Sequence, residues 1–492
     1  MSRTLCVLDR AYSPTTQPSA LRGRFFRILL QYIQGGAERN VKKKTLFTIS
    51  VLESFKKRKA FCIIGARQIG KTTLVREFAR NNYEYFAEIN FITDSKASDI
   101  FQQTFDAETI ITNLTAYLRQ PLEAGKTLIF FDEIQKCPQV RTAIKFLVED
   151  GRFDYVESGS LLGVNFQDVP SFPVGFEEIH EMYPMDFEEF AAANGVQQET
   201  FSYLYDCYCN RKPVSESVHN TMKKLFYTYI VVGGMPEAVQ IFVDTHDIGK
   251  VINYQNTILS QYRLDIAQYA GNDDKIKSKA IFDSIPSQLD DKNRRFIVSS
   301  LTPSARLNRY ENSFKWLTDA GVALACYNVN VPQPALKLNE KHSLFKLYMN
   351  DTGLLCAACM ENIQFDILNG NVGLNLGSIL ENVIAQQMKA NGFSLYYFDS
   401  KKYGELDFVI QNGLQIDLIE VKSGKDYRKH PALGKVLSVD NWKFKNAYVL
   451  CQGNIEERNG ILYLPWYLSI FLKPAQIPEN MIYELDLSGL RV

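Results

Sequence analysis

The sequence predicts an α/β protein of several domains, and three observations lead there. A short apolar run, residues 61–64 (FCII), passes through a glycine-bearing loop into an amphipathic helical pattern. A second apolar run, residues 128–131 (LIFF), ends in the acid pair Asp132-Glu133. Near the C-terminus, residues 404–422 alternate apolar and charged positions about Asn412-Gly413, the dipeptide that favours two-residue hairpins. The 492 residues correspond to about three domains of ~150 residues each. Hydrophobic residues at 46% and charged residues at 22% are ordinary for a packed protein, which excludes a disordered chain and a small disulfide scaffold.

Lys+Arg 55 balances Asp+Glu 55, so the chain as a whole has no bias toward anionic or cationic partners. The balance is not local: residues 1–60 hold 13 basic and 3 acidic residues, a surplus of 10 that the remainder offsets. Nine scattered cysteines, an odd number, fit a reducing cytoplasm better than secretion. No apolar run reaches the length of a membrane span, and the N-terminus lacks the apolar core of a signal peptide. The expected location is cytoplasmic, with no membrane partner. Residues 1–45 read as a basic N-terminal extension. Within it, Leu21–Ile33 suits an accessory helix or an over-extended gene start, with a membrane-surface or nucleic-acid-binding helix as the alternative.

After the first strand comes Gly65-Ala66-Arg67-Gln68-Ile69-Gly70-Lys71-Thr72-Thr73 and a helix from about Thr72 to Arg80. This is the G-x-x-x-x-G-K-T phosphate loop in the strand–loop–helix context it needs. Its glycines let backbone N–H groups turn toward phosphates, and the helix N-terminus adds partial positive charge. Lys71 is expected to reach the β- and γ-phosphates of ATP, and the Thr72 hydroxyl to ligate Mg²⁺. Asp132 is expected to hold the same Mg²⁺, directly or through water, and Glu133 to orient and deprotonate an attacking water. A third strand, residues 154–157 (DYVE), leads into Ser158-Gly159-Ser160, where Ser158 would lie between the two motifs and sense the γ-phosphate; a plain turn is the alternative.

The ordered set GARQIGKTT, LIFFDEIQ, ESGS, FPVGFEEIHEMYPMDFEEF and VGGMPEAV resembles a prokaryotic family of AAA+-type P-loop ATPases over about residues 46–460. The resemblance implies a parallel sheet with helices on both faces at residues 46–190 and an ATPase activity. It also implies a C-terminal region that includes a restriction-endonuclease-like fold. Family members often carry Arg after the glycine at Gly175; this chain has Phe176, so an arginine acting on phosphates from there is not expected. Arg141 and Arg67 are the other basic candidates.

Residues 191–271 read as a helical lid or linker, within a helical pattern running from about Phe187 to Ile266. Gly233-Gly234 with Pro236 breaks the pattern, as a hinge or as a tight turn. Residues 272–360 show two helical patterns, 277–289 and 306–320, then extended segments, an order that resembles a winged helix. Lys292, Asn293, Arg294 and Arg295, with Arg306 and Arg309 nearby, suit DNA phosphates, whereas Asp283, Asp290 and Asp291 oppose that and leave a protein-contact role open. Cys356-x-x-Cys359 lacks a second ligand pair, so these cysteines, like Cys207 and Cys209, are read as packing residues.

In the C-terminal segment, 361–492, a turn at Asn412-Gly413 sets Glu405 opposite Glu420 and Asp407 opposite Leu418. Glu405, Asp407, Glu420 and Lys422 then share one face, where like charges call for a compensating cation such as Mg²⁺. Asp, a spacer and Glu-x-Lys across a hairpin resembles the PD-(D/E)xK nucleases. The resemblance implies a second Mg²⁺ held by Asp407 and Glu420, and a Lys422 that positions water or stabilises charge. Glu381, on a helix from Ser378, either joins that site or closes a capping box with Ser378. The sequence thus supports an ATP- and Mg²⁺-dependent ATPase whose nucleotide cycle moves a winged-helix and nuclease-like half, with possible DNA contact and homo-oligomerisation. The alternatives are an ATP-gated DNA-processing nuclease of defence or repair, and a non-catalytic partner-binding switch.

Overall fold

Five short strands build the sheet of the first half, and the two that hold residues 61–64 and 128–131 are apolar and buried, as interior strands covered on both faces are. In the computed structural model they are β1 (Ala60–Ile64), β2 (Tyr85–Asn90), β3 (Thr127–Asp132), β4 (Asp154–Gly159) and β5 (Glu177–Glu181). They pair in the order β2-β3-β4-β1-β5, every neighbour parallel. Helix α1 (Val41–Lys56) precedes β1, and the crossovers that parallel neighbours need are supplied by α2 (Lys71–Asn82), α3 (Ser98–Gln103), α4 (Ala107–Leu118) and α5 (Gln139–Asp150). Asp106 caps α4 by accepting from the Thr109 N–H at 2.8 Å. Strand β3 is buried at all six positions, which carries Asp132 into the interior at its C-terminal end.

The structure describes residues 41–159, 173–269, 274–290, 295–359, 364–368 and 376–475, together with 482, 483 and 485. Residues 1–40 of the basic extension, with Leu21–Ile33, and Ser160, Asp291, Lys292, Asn293 and Arg294 lie outside the described residues. Two compact units divide the chain: the first lies within residues 1–64, 70–159 and 166–181, the second within 65–69, 160–165 and 182–492.

The second unit opens with α6 (Phe187–Ala193), α7 (Gln198–Cys209), α8 (Glu216–Val232), α9 (Pro236–Thr245) and α10 (Ile248–Tyr269). A capping box of Asp186 and Glu189 starts α6. The Gly233-Gly234 break between α8 and α9 is a packed turn. Gly234 O accepts from Met185 N at 2.7 Å, and Gly234 N donates to Asp351 Oδ2 at 2.6 Å. A Cβ on Gly234 would stand 2.0 Å from the Met185 carbonyl oxygen, so only glycine lets the two backbones meet.

Helices α11 (Lys275–Asp290) and α12 (Glu311–Asp319) precede the antiparallel pair β6 (Ala323–Val329) and β7 (Glu340–Met349). The helix, helix, hairpin order read from the sequence is therefore present. Helices α13 (Thr352–Cys359), α14 (Gln364–Leu368) and α15 (Gly377–Ala390) lead into β8 (Tyr396–Ser400) and β9 (Gly404–Leu406), which join β7 and β6 in a sheet of order β7-β6-β8-β9. Strands β10 (Phe408–Asn412) and β11 (Gln415–Val421), helix α16 (Pro431–Leu437), and strands β12 (Asn446–Cys451), β13 (Glu456–Arg458) and β14 (Ile461–Pro465) complete the unit. Their sheet order is β10-β11-β12-β14-β13.

The C-terminal hairpin corrects the sequence-based register. Asn412 pairs with Gln415 and Ile410 with Asp417, so the two loop residues are Gly413 and Leu414, not Asn412 and Gly413. Gly413 takes the positive φ of 64° at the first loop position, where a II′ turn favours glycine. Asn412 stays in the strand, and its side chain bonds Ala475 N and Lys473 O instead. Continued outward, this pairing sets Asp407 opposite Glu420, replacing the expected Glu405–Glu420 and Asp407–Leu418 pairs. A shift of two residues preserves the face of every side chain. The strand is also broken: β9 pairs with β8, and Asp407 lies where the chain passes from one sheet to the other.

Gly234→Ala should destabilise the second unit by about 2 kcal/mol or more, because two backbones must separate. Thermal melts of both proteins, followed by circular dichroism, measure this; equal melting temperatures contradict the packing role.

Candidate functional site

The phosphate-loop residues begin with Gly65, at φ 139°, where a Cβ would stand 2.3 Å from the Met182 carbonyl oxygen. Gly65–Ile69 group with the second unit. There Arg67 Nη1 pairs with Asp265 Oδ1 at 2.6 Å, Tyr262 OH donates to Arg67 O at 3.3 Å, and Tyr254 OH donates to Gln68 Oε1 at 2.9 Å. Gln68 is held in the left-handed region at φ 64°. Ala66 and Ile69 are buried, and their side chains belong to the hydrophobic core.

Gly70, left-handed at φ 91°, ends the loop and starts α2 at Lys71, so that Lys71, Thr72 and Thr73 form its first turn. Asp132 collects the polar groups around it. Thr72 Oγ1 donates to Asp132 Oδ2 at 3.0 Å, Asn90 Nδ2 donates to the same oxygen at 3.1 Å, and Ser158 Oγ donates to Oδ1. The Glu133 N–H adds a bond to Oδ1 at 3.1 Å. Asp132 is only 3% exposed, and this ring of donors is what keeps a carboxylate there. The parallel register delivers the partners: Asn90 sits opposite Asp132 at the ends of β2 and β3. Glu133 turns sharply off the strand at φ 57°, and its Oε2 accepts from Gln135 Nε2. Thr72, Asp132 and Ser158 are thus brought together as the motif spacing expects. The sequence reading does not include Asn90 or Gln135; the signal for Asn90 is a polar residue at the C-terminal end of a parallel strand, where such sheets gather ligand groups, whereas Gln135 lies in the turn Ile134–Lys136 after β3.

Thr72 and Asp132 converge as hard oxygen donors, the chemistry Mg²⁺ takes. Neither reserve arginine stands apart from an anion. Arg141 is 2% exposed and sets Nη2 against both Glu177 oxygens at 2.6 and 2.7 Å, while Arg67 is engaged with Asp265.

A second cluster lies in the second unit. Lys346, fully buried on β7, places Nζ 3.2 Å from Glu381 Oε2 and 2.5 Å from Glu405 Oε1. Tyr348 OH also donates to Glu381 Oε2, at 3.2 Å. Helix α15 starts at Gly377 with Leu376 at its cap, so Ser378 lies inside the helix and the capping-box alternative for Glu381 does not form. Lys422 Nζ lies 2.6 Å from Glu420 Oε1, and Asp407 Oδ2 accepts from Val421 N at 2.7 Å. Burial first, then the charge of Asp407, pushes the Glu420 carboxyl up to about 8, with Lys422 pulling the other way. Burial likewise raises Glu405 against the pull of Lys346. Lys346 was missed from the sequence, although a lysine inside the apolar run SLFKLYM is itself a signal of a buried anionic partner. Cys356 Sγ is buried and donates to Ile230 O at 3.3 Å, in keeping with a packing role.

Comparison with known proteins adds the following. Residues 57–191 match the family model of an AAA domain.

Those residues form an AAA domain on a P-loop ATPase-like fold.

Residues 223–364 and 376–468 match two domains of unknown function, DUF8612 and DUF4143. No curated protein matches the chain. Among solved structures, the Walker-type ATPase PABY2304 of Pyrococcus abyssi is 11% identical over 66% of this chain and 96% of its own, with a TM-score of 0.41. The RuvB Holliday junction branch migration motor of Thermotoga maritima is 15% identical over 57% of this chain and 88% of its own, at 0.28. The ORC1 protein of Aeropyrum pernix in complex with DNA is 12% identical over 73% and 96%, at 0.26. All three TM-scores are too low to carry function. No helix among the described residues is long and apolar enough to cross a membrane.

Glu420 yields a pH prediction. Its folded pKa, about 8, lies above the usual carboxylate value, so the folded chain keeps a proton that the unfolded chain has lost. That contribution is fully present at acidic pH and is lost as pH rises through about 8. Melting curves should therefore show wild type losing stability relative to Glu420→Gln as pH rises from 5 toward 8. A difference independent of pH contradicts a raised Glu420.

Proposed function

We propose that this chain is a Mg²⁺-dependent ATPase of AAA+ type whose nucleotide state is coupled to its C-terminal half. The observation that carries the reading is the Asp132 carboxylate receiving Thr72 from the phosphate loop and Ser158 from β4. Backbone N–H groups of Gly65–Thr73 cradle the phosphates of ATP, and Lys71 neutralises the β- and γ-phosphates. Thr72 and Asp132 hold Mg²⁺, which when bound neutralises charge on the phosphoryl oxygens. Glu133, oriented by Gln135, takes the proton of the attacking water, and Ser158 senses the γ-phosphate. The AAA match over residues 57–191 supports this assignment for the proposed ATPase domain, 46–190. A lid at 191–271, a winged-helix-like domain at 272–360 and a nuclease-like domain at 361–492 remain part of the same proposal, as do homo-oligomerisation and DNA contact.

Lys71→Ala should abolish tight binding of a fluorescent ATP analogue. Glu133→Gln should keep binding and lose turnover by about 100-fold or more, since the base is gone while Asp132 persists. Equal affinity in the first variant or wild-type turnover in the second overturns the corresponding role.

A second reading is an ATP-gated nuclease, favoured by the gathering of Asp407, Glu420 and Lys422, with Glu381 near the same cluster. These residues would hold a second Mg²⁺ through Asp407 and Glu420, with Lys422 on the scissile phosphate. Lys346 weighs on the other side, because its ammonium already compensates Glu381 and Glu405. If the reading is right, plasmid nicking with Mg²⁺ or Mn²⁺ disappears in Asp407→Ala and in Glu420→Ala while ATP turnover is retained. Absence of nicking in the wild type leaves the non-catalytic partner-binding switch as the role of this half.

A further inference from the structure

Beneath the first unit's sheet lies a buried group that ATP hydrolysis does not use. Cys62 on β1, Glu157 on β4 and Glu177 on β5 bring one ligand atom each within 4.8 Å of one another. Cys62 and Glu157 are direct neighbours in the parallel register, so both project from the same face. Ser158, the next residue, points to the opposite face and Asp132. Cys62 and Glu157 are 0% exposed, and the Glu177 side chain is 5% exposed. Arg141 on α5 closes the group by its double contact with Glu177.

Charge decides what such a group needs. Two carboxylates and one guanidinium, if all are ionised, leave an excess of one negative charge in a buried region. Both Glu157 oxygens are buried and have no hydrogen-bond partner, although a buried carboxylate ordinarily accepts several bonds. Glu177 has Arg141; Glu157 points into the group with both oxygens unused. If Cys62 is a thiolate, the set carries two negative charges beyond Arg141, and one divalent cation makes it neutral.

We infer that Cys62, Glu157 and Glu177 form a structural site for one thiophilic divalent cation, of which zinc is the best fit. One thiolate and two carboxylates suit a borderline ion, whereas magnesium and calcium select oxygen alone. Zinc–sulfur and zinc–oxygen bonds of about 2.3 and 2.1 Å place neighbouring ligand atoms roughly 3.5 Å apart, so small side-chain rotations close the group. Glu157, with two unpartnered oxygens, can bind through both and complete four-coordination. Binding releases the Cys62 proton to solvent. The ion would tie together β1, β4 and β5, the first two of which lead into the phosphate loop and Ser158. In its absence the excess charge is removed by a proton, in line with the strong upward displacement of Glu157 by burial and by Glu177.

The full-length protein, purified without chelator, should contain about one equivalent of zinc by inductively coupled plasma mass spectrometry. Exchange for cobalt should produce a thiolate-to-cobalt charge-transfer band. Cys62→Ala and Glu157→Gln should each lose both the metal and the band, while Cys356→Ala with Cys359→Ala keeps them; circular dichroism checks that each variant is folded. Wild-type protein with neither zinc nor a cobalt band overturns the inference, and the pair then shares a proton. Metal that survives in both Cys62→Ala and Glu157→Gln also overturns it. Neither outcome touches the ATPase reading, because Lys71→Ala and Glu133→Gln test that separately.

Discussion

A single buried carboxylate organises the candidate nucleotide site. Asp132 sits at the end of a strand that is apolar throughout, and burial there is costly for an anion unless donors surround it. Four groups from four places in the sequence meet the requirement: Thr72, Asn90, Ser158 and the Glu133 N–H. Their convergence fixes the side-by-side register of β2, β3 and β4 and the position of α2's first turn. The left-handed turn at Glu133 follows from the same constraint, since the chain leaves the strand at once and bonds back to Asp132.

The second unit meets a similar electrostatic problem differently. Glu381, Glu405, Asp407 and Glu420 are drawn to one region by α15, β9, β11 and the link between two sheets. Two lysines share the compensation, Lys346 from a fully buried position and Lys422 from a partly exposed one. An ammonium is a point charge with three donors and cannot satisfy every oxygen of four carboxylates. Burial first, and the charge of Asp407 next, raise Glu420 against the pull of Lys422, so that it holds its proton where an ordinary glutamate has lost it. The cluster therefore gathers its carboxylates around an internal cation, Lys346.

The Cys62, Glu157 and Glu177 group shows the same principle on the reverse face of the AAA sheet. Strand alternation sends Ser158 to Asp132 and Glu157 to Arg141's side, so adjacent residues serve separate polar centres. Arg141 is consumed by this arrangement, which removes it as a partner for phosphates.

Local pattern alone determined the phosphate loop, the acid pair after β3, Ser158 at the end of β4, the helical stretch after Phe187 and the helix, helix, hairpin order. Each is written in contiguous residues whose spacing has one physical use. The expected face also survives for Glu420 on β11, because a two-residue slip leaves faces unchanged, whereas Glu405 lies on β9 in the other sheet. The register itself was decided by which residue could take a positive φ, and glycine did so in place of Asn412. Tertiary structure alone decided that Asn90 joins Asp132, that Lys346 stands between Glu381 and Glu405, that Gly234 is a packed turn and that Glu157 meets Cys62. Those pairings join segments tens to hundreds of residues apart, and what selects them is the cost of burying charge without a partner, which is set only once the chain has folded.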